Sequence, residues 1–246
     1  MNVLVHGISG AMGTQVVSLL DGENLFGYDH QAHPTVETYN HFDFDESVDV
    51  VIDFSHYSMI DQLLDYCIKS HTPAVICTTG LDESTQEKII QASKEIAIFQ
   101  SGNMSIGINL LLKLAQIGTQ HLNDFDIEII EKHHKEKIDA PSGTAFMIAE
   151  AIQSIKDLTL DFGRHGQDAK RKDNTIGMHA VRGGTITGEH TVLFAGEDEI
   201  IELTHQASSK RVFAKGAIEA AYFLKDKEAG LYNMNDLLGG ISWITT

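Results

Sequence analysis

Cysteine and proline are scarce in this chain of 246 residues, which contains only 2 cysteines and 3 prolines. Cys67 and Cys77 lack a CxxC spacing and a companion histidine at zinc-ligand distance, so neither a disulfide framework nor a structural zinc site is indicated. The scarcity of cysteine is best explained by a protein that resides in a reducing compartment. No apolar run approaches the length that a bilayer requires. The chain runs from Met1 into the strand pattern NVLVHG without a basic leader, which predicts a cytoplasmic protein.

Positive charge is scarce too, because 18 Lys and Arg face 35 Asp and Glu, for a formal net charge of -17. Such a surface repels polyanions, which argues against nucleic acid or an anionic membrane as partner. A small anionic substrate would need a local cationic pocket. The remaining composition, 42% hydrophobic and 22% charged, is that of an ordinary folded protein long enough for two unequal domains.

Strand and helix patterns alternate through the first part of the chain. Apolar runs such as 2–6 and 48–54 are separated by helical periodicity, which predicts an α/β fold with a doubly wound, Rossmann-like parallel sheet. A long apolar helix and glycine-separated strands follow, and these predict a smaller α+β domain with an open mixed sheet. We expect a first domain at 1–104, completed by 213–246, and a second domain at 105–212.

A glycine-rich turn follows the first predicted strand and opens a helix. Gly7, Gly10 and Gly13 have the spacing GxxGxxG. The first glycine would permit a tight turn, the second would let the backbone approach a pyrophosphate, and the third would allow close packing of helix on strand. The usual dinucleotide motif is GxGxxG, so an ordinary glycine-rich turn is the alternative.

The end of the second predicted strand bears on the cofactor. Asp29 lies near the spacing expected of a carboxylate that binds ribose hydroxyls, or else it is a turn residue beside His30. A carboxylate there would repel the extra phosphate of NADPH, so NADH is favoured over NADPH. The loops CTTG at 77–80 and SGNM at 101–104 also follow predicted strands and would line the same sheet edge, although each is typical of an ordinary turn as well.

The segment EKHHKEKIDAPSGTA, residues 131–145, concentrates cationic and titratable side chains. These side chains are His133, His134, Lys135 and Lys137. The turn DAP precedes a predicted helix whose first amides, at Gly143 and Thr144, would point at an anion. The segment therefore predicts a pocket for carboxylates, and the alternative is a capped helix after a solvated loop. Adjacent histidines point in different directions and no HExxH pattern accompanies them, so we expect no metal.

The same segment closely resembles the signature EHHxxKxDAPSGTA of the 4-hydroxy-tetrahydrodipicolinate reductases, also called dihydrodipicolinate reductases, of bacterial diaminopimelate and lysine biosynthesis. Other blocks are similar to the family's own, in the same order: GISGAMG, IDFS, CTTG, SGNMSIGIN, RGGTITGEHTVLFAG and HQASSKRVFAKGA. The resemblance covers nearly the whole chain.

The resemblance implies reduction of (2S,4S)-4-hydroxy-2,3,4,5-tetrahydrodipicolinate to (S)-2,3,4,5-tetrahydrodipicolinate with loss of water, at the expense of NADH or NADPH. It implies that His133 is the proton donor or acceptor and that Lys137 is a second proton donor. The implied substrate-binding residues are His134, Gly143 and Thr144. The implied cofactor-binding residues are Gly7, Ile8, Ser9, Gly10, Ala11, Met12, Asp29, Cys77, Thr78, Thr79, Ser101, Gly102, Asn103 and Met104.

The resemblance further implies a homotetramer in which the second domain binds both the substrate and the partner subunits. Two other functions stay open. One is another two-domain amino-acid or imino-acid dehydrogenase that uses NADH or NADPH, against which the block PSGTA argues. The other is a non-catalytic NADH-binding sensor, which would not need the dense His and Lys segment.

Overall fold

The computed structural model describes residues 1–43 and 46–239. The chain divides into two compact units: the first consists of residues 1–106 together with the chain from residue 210 onward, and the second of residues 107–209. Each unit has its own sheet and its own hydrophobic core. Within the described ranges, no helix is long and apolar enough to cross a membrane.

The chain first forms β1 (Asn2–His6), α1 (Ala11–Val17), β2 (Asn24–Tyr28), β3 (Thr38–Tyr39), β4 (Val50–Asp53), α2 (Ile60–Ser70), β5 (Ala74–Ile76), α3 (Glu83–Ala92) and β6 (Ala97–Gln100). It then forms α4 (Ile106–His121), β7 (Asp126–His133), α5 (Gly143–Gln153), β8 (Thr159–Phe162), β9 (Thr175–Arg182), β10 (Gly188–Ala195) and β11 (Ile200–Ala207). The last described elements are α6 (Arg211–Leu224), β12 (Gly230–Tyr232) and α7 (Met234–Leu237).

The first unit contains a parallel sheet in the order β12-β6-β5-β4-β1-β2-β3. Its central strands are buried on both sides, because Val3 and Val5 pack with α1 and α6 while Leu4 packs with α2 and α3. Strands covered on both faces are typical of a doubly wound sheet. The predicted Rossmann-like fold is therefore confirmed, although the apolar run 48–54 is a strand only over Val50–Asp53.

The turn between β1 and α1 requires glycine at two positions. Gly7 has a φ of 80°, and a Cβ there would stand 2.7 Å from the carbonyl oxygen of Phe54. A Cβ at Gly13 would stand 2.3 Å from the carbonyl oxygen of Gly7. Left-handed backbone and such close approach both exclude larger residues. The turn and the helix are thus held tightly against the carboxyl end of the strand.

The second unit contains a mixed sheet in the order β11-β10-β7-β9-β8. β7 pairs antiparallel with β10 and parallel with β9. Helices α4 and α5 both pack on one face, where Ile129, Ile148 and Phe194 are fully buried. Hydrophobic side chains elsewhere on this sheet are more open, with Val181 45% and Ile200 63% exposed. The predicted open mixed sheet is confirmed.

Candidate active site

Asp29 organises the glycine turn of the first unit. Its carboxylate accepts hydrogen bonds from the backbone N–H groups of Ser9, at 3.0 Å, and of His30, at 2.7 Å. It therefore ties the glycine turn to the end of β2. A cleft of about 310 Å³ opens beside it, lined among others by Gly7, Gly10 and Tyr28. Asp29 and two of the predicted glycines thus meet at one cleft.

The predicted residues around this turn differ in exposure. Ile8 is fully buried and Met12 packs against the core, so any ligand contact by Ile8 would be through its backbone. Ala11 is exposed at the start of α1. The motif therefore combines residues that hold the turn with residues that face solvent.

The CTTG loop is anchored on a buried carboxylate that sequence reasoning missed. The Thr78 hydroxyl donates to Asp53 Oδ2 at 2.6 Å, and Asp53 is fully buried at the end of β4. His6 Nδ1 lies 2.9 Å from Asp53 Oδ1. Burial raises the pKa of the Cys77 thiol, and the nearby Asp53 charge raises it further, so the thiol stays protonated. Thr79, by contrast, is exposed.

The SGNM loop holds its own shape through polar side chains. The Ser101 hydroxyl donates to the carbonyl oxygen of Asn103 at 2.9 Å, and Asn103 Oδ1 accepts from the backbone N–H of Ser105 at 2.9 Å. Met104 is buried in the core of the first unit, whereas Gly102 is exposed. Of this loop, Gly102 has the backbone most open to a ligand.

In the second unit, His133 ends strand β7 with its ring largely buried. Its Nδ1 lies 2.6 Å from Glu131 Oε2. Its ring meets that of His190 edge-on, with centroids 5.1 Å apart. The other ring nitrogen, Nε2, lies close to Gly188, where an added Cβ would stand 3.1 Å away. The imidazole is thus held on one side by a carboxylate and has backbone on the other.

Glu131 is 1% exposed and is hydrogen-bonded at both oxygens. Arg182 donates to Oε2 at 2.8 Å and to Oε1 at 2.7 Å, and the backbone N–H of Ser142 donates to Oε1 at 3.0 Å. Burial would raise the pKa of Glu131, but the hydrogen bonds from Arg182 and His133 outweigh it and hold the pKa below its ordinary value. Glu131 is therefore ionised at neutral pH.

The loop between β7 and α5 carries the other predicted residues. Lys137 Nζ lies 2.8 Å from Asp139 Oδ1, and this hydrogen bond is the main reason why the pKa of Asp139 is lowered. Ser142 caps α5 by accepting from the backbone N–H of Ala145. Gly143 is exposed at the first position of that helix. His134 and Thr144, the remaining predicted substrate-binding residues, are half-buried.

His190, on the neighbouring strand β10, was not predicted from the sequence. Its Nε2 lies 2.9 Å from the Ser142 hydroxyl. Burial, together with the nearby His133, lowers the pKa of His190 to about 4, so His190 is neutral at physiological pH. A signal was present in the sequence: alternation places His190 on the same face as the buried Val192 and Phe194, where a histidine is unusual.

No group of three or more His, Cys, Asp or Glu side chains that could hold a metal ion occurs within 1–43 and 46–239. The side chains described above supply acid and base groups, above all His133 and Lys137. A Rossmann-like unit with a glycine turn, together in one chain with a second unit that bears an anchored histidine and a lysine, defines the class of two-domain dinucleotide-dependent reductases.

Comparison with known families narrows this class. Residues 1–104 match the family model described as dihydrodipicolinate reductase, N-terminus, and residues 107–238 match the model described as dihydrodipicolinate reductase, C-terminus. The chain belongs to the dihydrodipicolinate reductase family. The membership expected from the sequence motifs is thereby confirmed.

Curated relatives of the same family are similar in sequence to this chain over most of their length. The chain is 46% identical to the 4-hydroxy-tetrahydrodipicolinate reductase of Caldanaerobacter subterraneus subsp. tengcongensis, covering 97% of this chain and 98% of the relative. It is 43% identical to the protein of the same name from Brachyspira hyodysenteriae, covering 97% and 100%.

Solved structures support the same fold. A dipicolinate-bound dihydrodipicolinate reductase from Paenisporosarcina sp. TG-14 matches with a TM-score of 0.80 at 22% identity, covering 95% of this chain and 97% of that one. An aspartate dehydrogenase from Thermotoga maritima matches with a TM-score of 0.54 at 15% identity, covering 93% and 98%. The architecture is thus shared with a dehydrogenase of another substrate.

Proposed function

We propose that this chain is a 4-hydroxy-tetrahydrodipicolinate reductase, which converts (2S,4S)-4-hydroxy-2,3,4,5-tetrahydrodipicolinate to (S)-2,3,4,5-tetrahydrodipicolinate and water with NADH or NADPH. The observation that carries the proposal is the arrangement at the end of β7. There a buried histidine, His133, is held by an ionised carboxylate and is followed by Lys137 and the start of α5. The family to which the chain belongs indicates the reaction in which these groups would act.

The residues of the first unit fit a nicotinamide dinucleotide. Gly7 and Gly10 line the cleft and lack side chains, so a pyrophosphate can approach their backbone. Asp29 lines the same cleft, where its carboxylate can accept hydrogen bonds from ribose hydroxyls. A carboxylate beside the ribose would repel the extra phosphate that NADPH carries there, so we expect the protein to prefer NADH over NADPH. The bound cofactor supplies the hydride.

The residues of the second unit fit a dicarboxylate. Lys137 and His134 provide positive or hydrogen-bonding groups, and the N–H groups of Gly143 and Thr144 open α5. Among the described residues, no atom lies within 4 Å of where a Cβ on Gly143 would stand, so there is open space beside the start of α5. Gripping the carboxylates would orient the ring carbon that accepts hydride.

The acid and base groups follow from the substrate's chemistry. Loss of water leaves a conjugated imine, and hydride uptake at C4 spreads negative charge through the carbon and nitrogen atoms of that system. His133 would then protonate the ring through Nε2, with Lys137 as a second proton donor that stabilises the developing charge. Glu131 stays ionised and keeps His133 in place.

We further propose that the protein is a cytoplasmic homotetramer that pairs through the second unit. Exposed apolar side chains such as Val181 and Ile200 support this, because apolar surface on a sheet is commonly covered by a partner. Sedimentation analysis should give a mass four times that of one chain.

The experiment that tests the function is the oxidation of NADH or NADPH by the purified protein in the presence of the proposed substrate. We expect turnover with this substrate and none with the imines of simple amino acids. Turnover only with the simple imines would instead favour an imino-acid dehydrogenase, and cofactor binding without any turnover would favour a sensor.

A further inference from the structure

We propose that Glu131 and Arg182 form a positioning pair that fixes the imidazole of His133 and joins it to the two segments that grip the substrate. The inference rests on the proposed role of His133 in proton transfer. It concerns two residues to which the sequence motifs assign no role. Neither residue is proposed to contact the substrate.

The first step is the saturation of the Glu131 carboxylate. Oε1 accepts from the Ser142 backbone and from Arg182 Nη2, and Oε2 accepts from Arg182 Nη1 and His133 Nδ1, all within 3.0 Å. Glu131 is almost fully buried. A forked arginine contact fixes the plane of a carboxylate as well as its position. Glu131 is therefore a rigid acceptor.

The second step concerns the proton on His133. An ionised carboxylate can only accept a hydrogen bond, so the proton of the neutral imidazole must be on Nδ1. Nε2 is then the nitrogen that can exchange a proton with substrate. The backbone of Gly188 leaves room beside Nε2 that a side chain would fill. The pair thus selects both the tautomer and the reactive atom.

The third step links the segments. Arg182 Nη2 also donates to the carbonyl oxygen of Asp139 at 2.6 Å, in the loop that carries Lys137. The Ser142 N–H that bonds Glu131 immediately precedes the amides of Gly143 and Thr144. One ion pair therefore contacts the proposed proton donor, the lysine loop and the start of α5. A small displacement of the pair would misplace all three.

The charged and titratable groups around His133 lie on its own strand, on the two adjacent strands and in the following loop. Glu131 is in direct contact with the ring, and Arg182 balances Glu131 from the adjacent strand. His190 packs against the ring but is neutral at physiological pH, and Lys137 lies in the following loop. Removing the negative charge of Glu131 would disfavour the protonated form of His133. An activity that needs this form would then be lost, as the pH is raised, at a lower pH than in the wild-type protein.

The test compares Glu131→Gln with Glu128→Gln in the full-length protein. Glu128 is a matched control because it lies on the same strand and is also bonded to arginine and histidine, but its described contacts do not reach His133. We expect Glu131→Gln to lower kcat about 100-fold while the dissociation constant for NADH stays unchanged. Its alkaline limb of kcat against pH should move to lower pH. Glu128→Gln should keep the wild-type kcat and pH profile.

A spectroscopic readout separates positioning from general damage. In protein labelled with ¹⁵N-histidine, the neutral His133 ring should carry its proton on Nδ1 in wild type. In Glu131→Gln it should carry the proton on Nε2, because the Ser142 N–H and Arg182 Nη2 keep the amide oxygen at the Oε1 position and the amide nitrogen then donates to Nδ1. Glu131→Asp, which keeps the charge, should restore the Nδ1 proton and part of the activity.

Wild-type kcat and pH profile in Glu131→Gln, or a wild-type His133 ring protonated on Nε2, would overturn the proposal. Should Glu131→Gln fail to fold, Arg182→Lys is used in its place. Lysine keeps the positive charge but cannot bond both carboxylate oxygens as arginine does, so kcat should fall. An unchanged kcat would contradict the proposed positioning pair. If wild-type protein does not turn over the substrate, the proposed function fails, while the ring measurement still decides the pairing.

Discussion

Strand β7 bears two buried glutamates three residues apart, Glu128 and Glu131, which therefore lie on opposite faces of the sheet. Each bonds a histidine at 2.6 Å and at least one arginine. In both, burial would raise the pKa of the carboxyl, and the hydrogen bonds to arginine and histidine outweigh it. By composition the two clusters are nearly the same.

Their surroundings differ. The arginines of Glu128 are Arg164 and Arg171, which belong to the long segment between β8 and β9, so this carboxylate ties down a connection. The side chain of His179 in that cluster is 30% exposed, against 11% for His133. Glu131 instead bonds the start of α5, and its partner Arg182 bonds the loop that carries Lys137. The two clusters therefore differ in their neighbours rather than in their members, and it is the neighbours of Glu131 that fit the proposed chemistry.

The largest expected difference between the clusters is the loss of the histidine. His133→Gln should lower kcat about 1,000-fold with little change in KM, because the proposed proton donor of the transition state is removed. His179→Gln should leave kcat unchanged. Steady-state kinetics on both variants measures this, and equal losses would break the distinction.

A smaller difference is expected for the lysines near each cluster. Lys137→Ala should lower kcat and raise KM, for a combined loss of about 100-fold in kcat/KM, since both charge stabilisation and substrate binding suffer. Lys172, which lies 3.9 Å from Asp161 beside the Glu128 cluster, provides the control. Lys172→Ala with a comparable loss would show that overall charge, rather than position, matters.

A still smaller effect is expected from filling the space beside His133. Gly188→Ala places a carbon 3.1 Å from Nε2, so the ring must move by a few tenths of an ångström. We expect kcat to fall about tenfold. Among the described residues, nothing stands within 4 Å of a Cβ added at Gly183. Gly183→Ala should therefore be neutral, and an equal fall in the two variants would refute the steric explanation.

The smallest difference should be in acid stability, where the two clusters should behave alike. Both glutamates have folded-state pKa values below their ordinary 4.5. The stabilisation by each ionised carboxylate is complete above about that pH and is lost as pH falls through the folded-state pKa. Urea unfolding at several acidic pH values should show a weaker pH dependence in both Glu128→Gln and Glu131→Gln. A strong asymmetry would mean that only one cluster is structural.

Much of the fold could be predicted because its signal is local. Buried central strands such as β1 and β4 are continuous apolar runs, and α4 is a long apolar helix. The strands that were missed, β3, β8 and β12, are two to four residues long and lie at sheet edges. An edge strand buries little, so its hydrophobic pattern is weak.

The residues of the candidate site also divide into those that the sequence could predict and those that it could not. His133, Lys137, Gly143 and Thr144 lie within one dense segment and could be singled out together. Arg182 and His190 come from β9 and β10, and they meet that segment only through strand register, which the sequence does not show. Glu131 lies inside the segment, but its role depends on those distant partners. Asp53, which anchors Thr78, was missed for the same reason.

The most direct test of the distinction between the two clusters is a crystal structure of this protein with dipicolinate, a planar dicarboxylate related to the proposed product. We expect its carboxylates to lie against the amides of Gly143 and Thr144, with its ring beside His133 Nε2. Dipicolinate bound at Glu128 and His179, or bound away from the start of α5, would contradict the assignment of the active site to the Glu131 cluster.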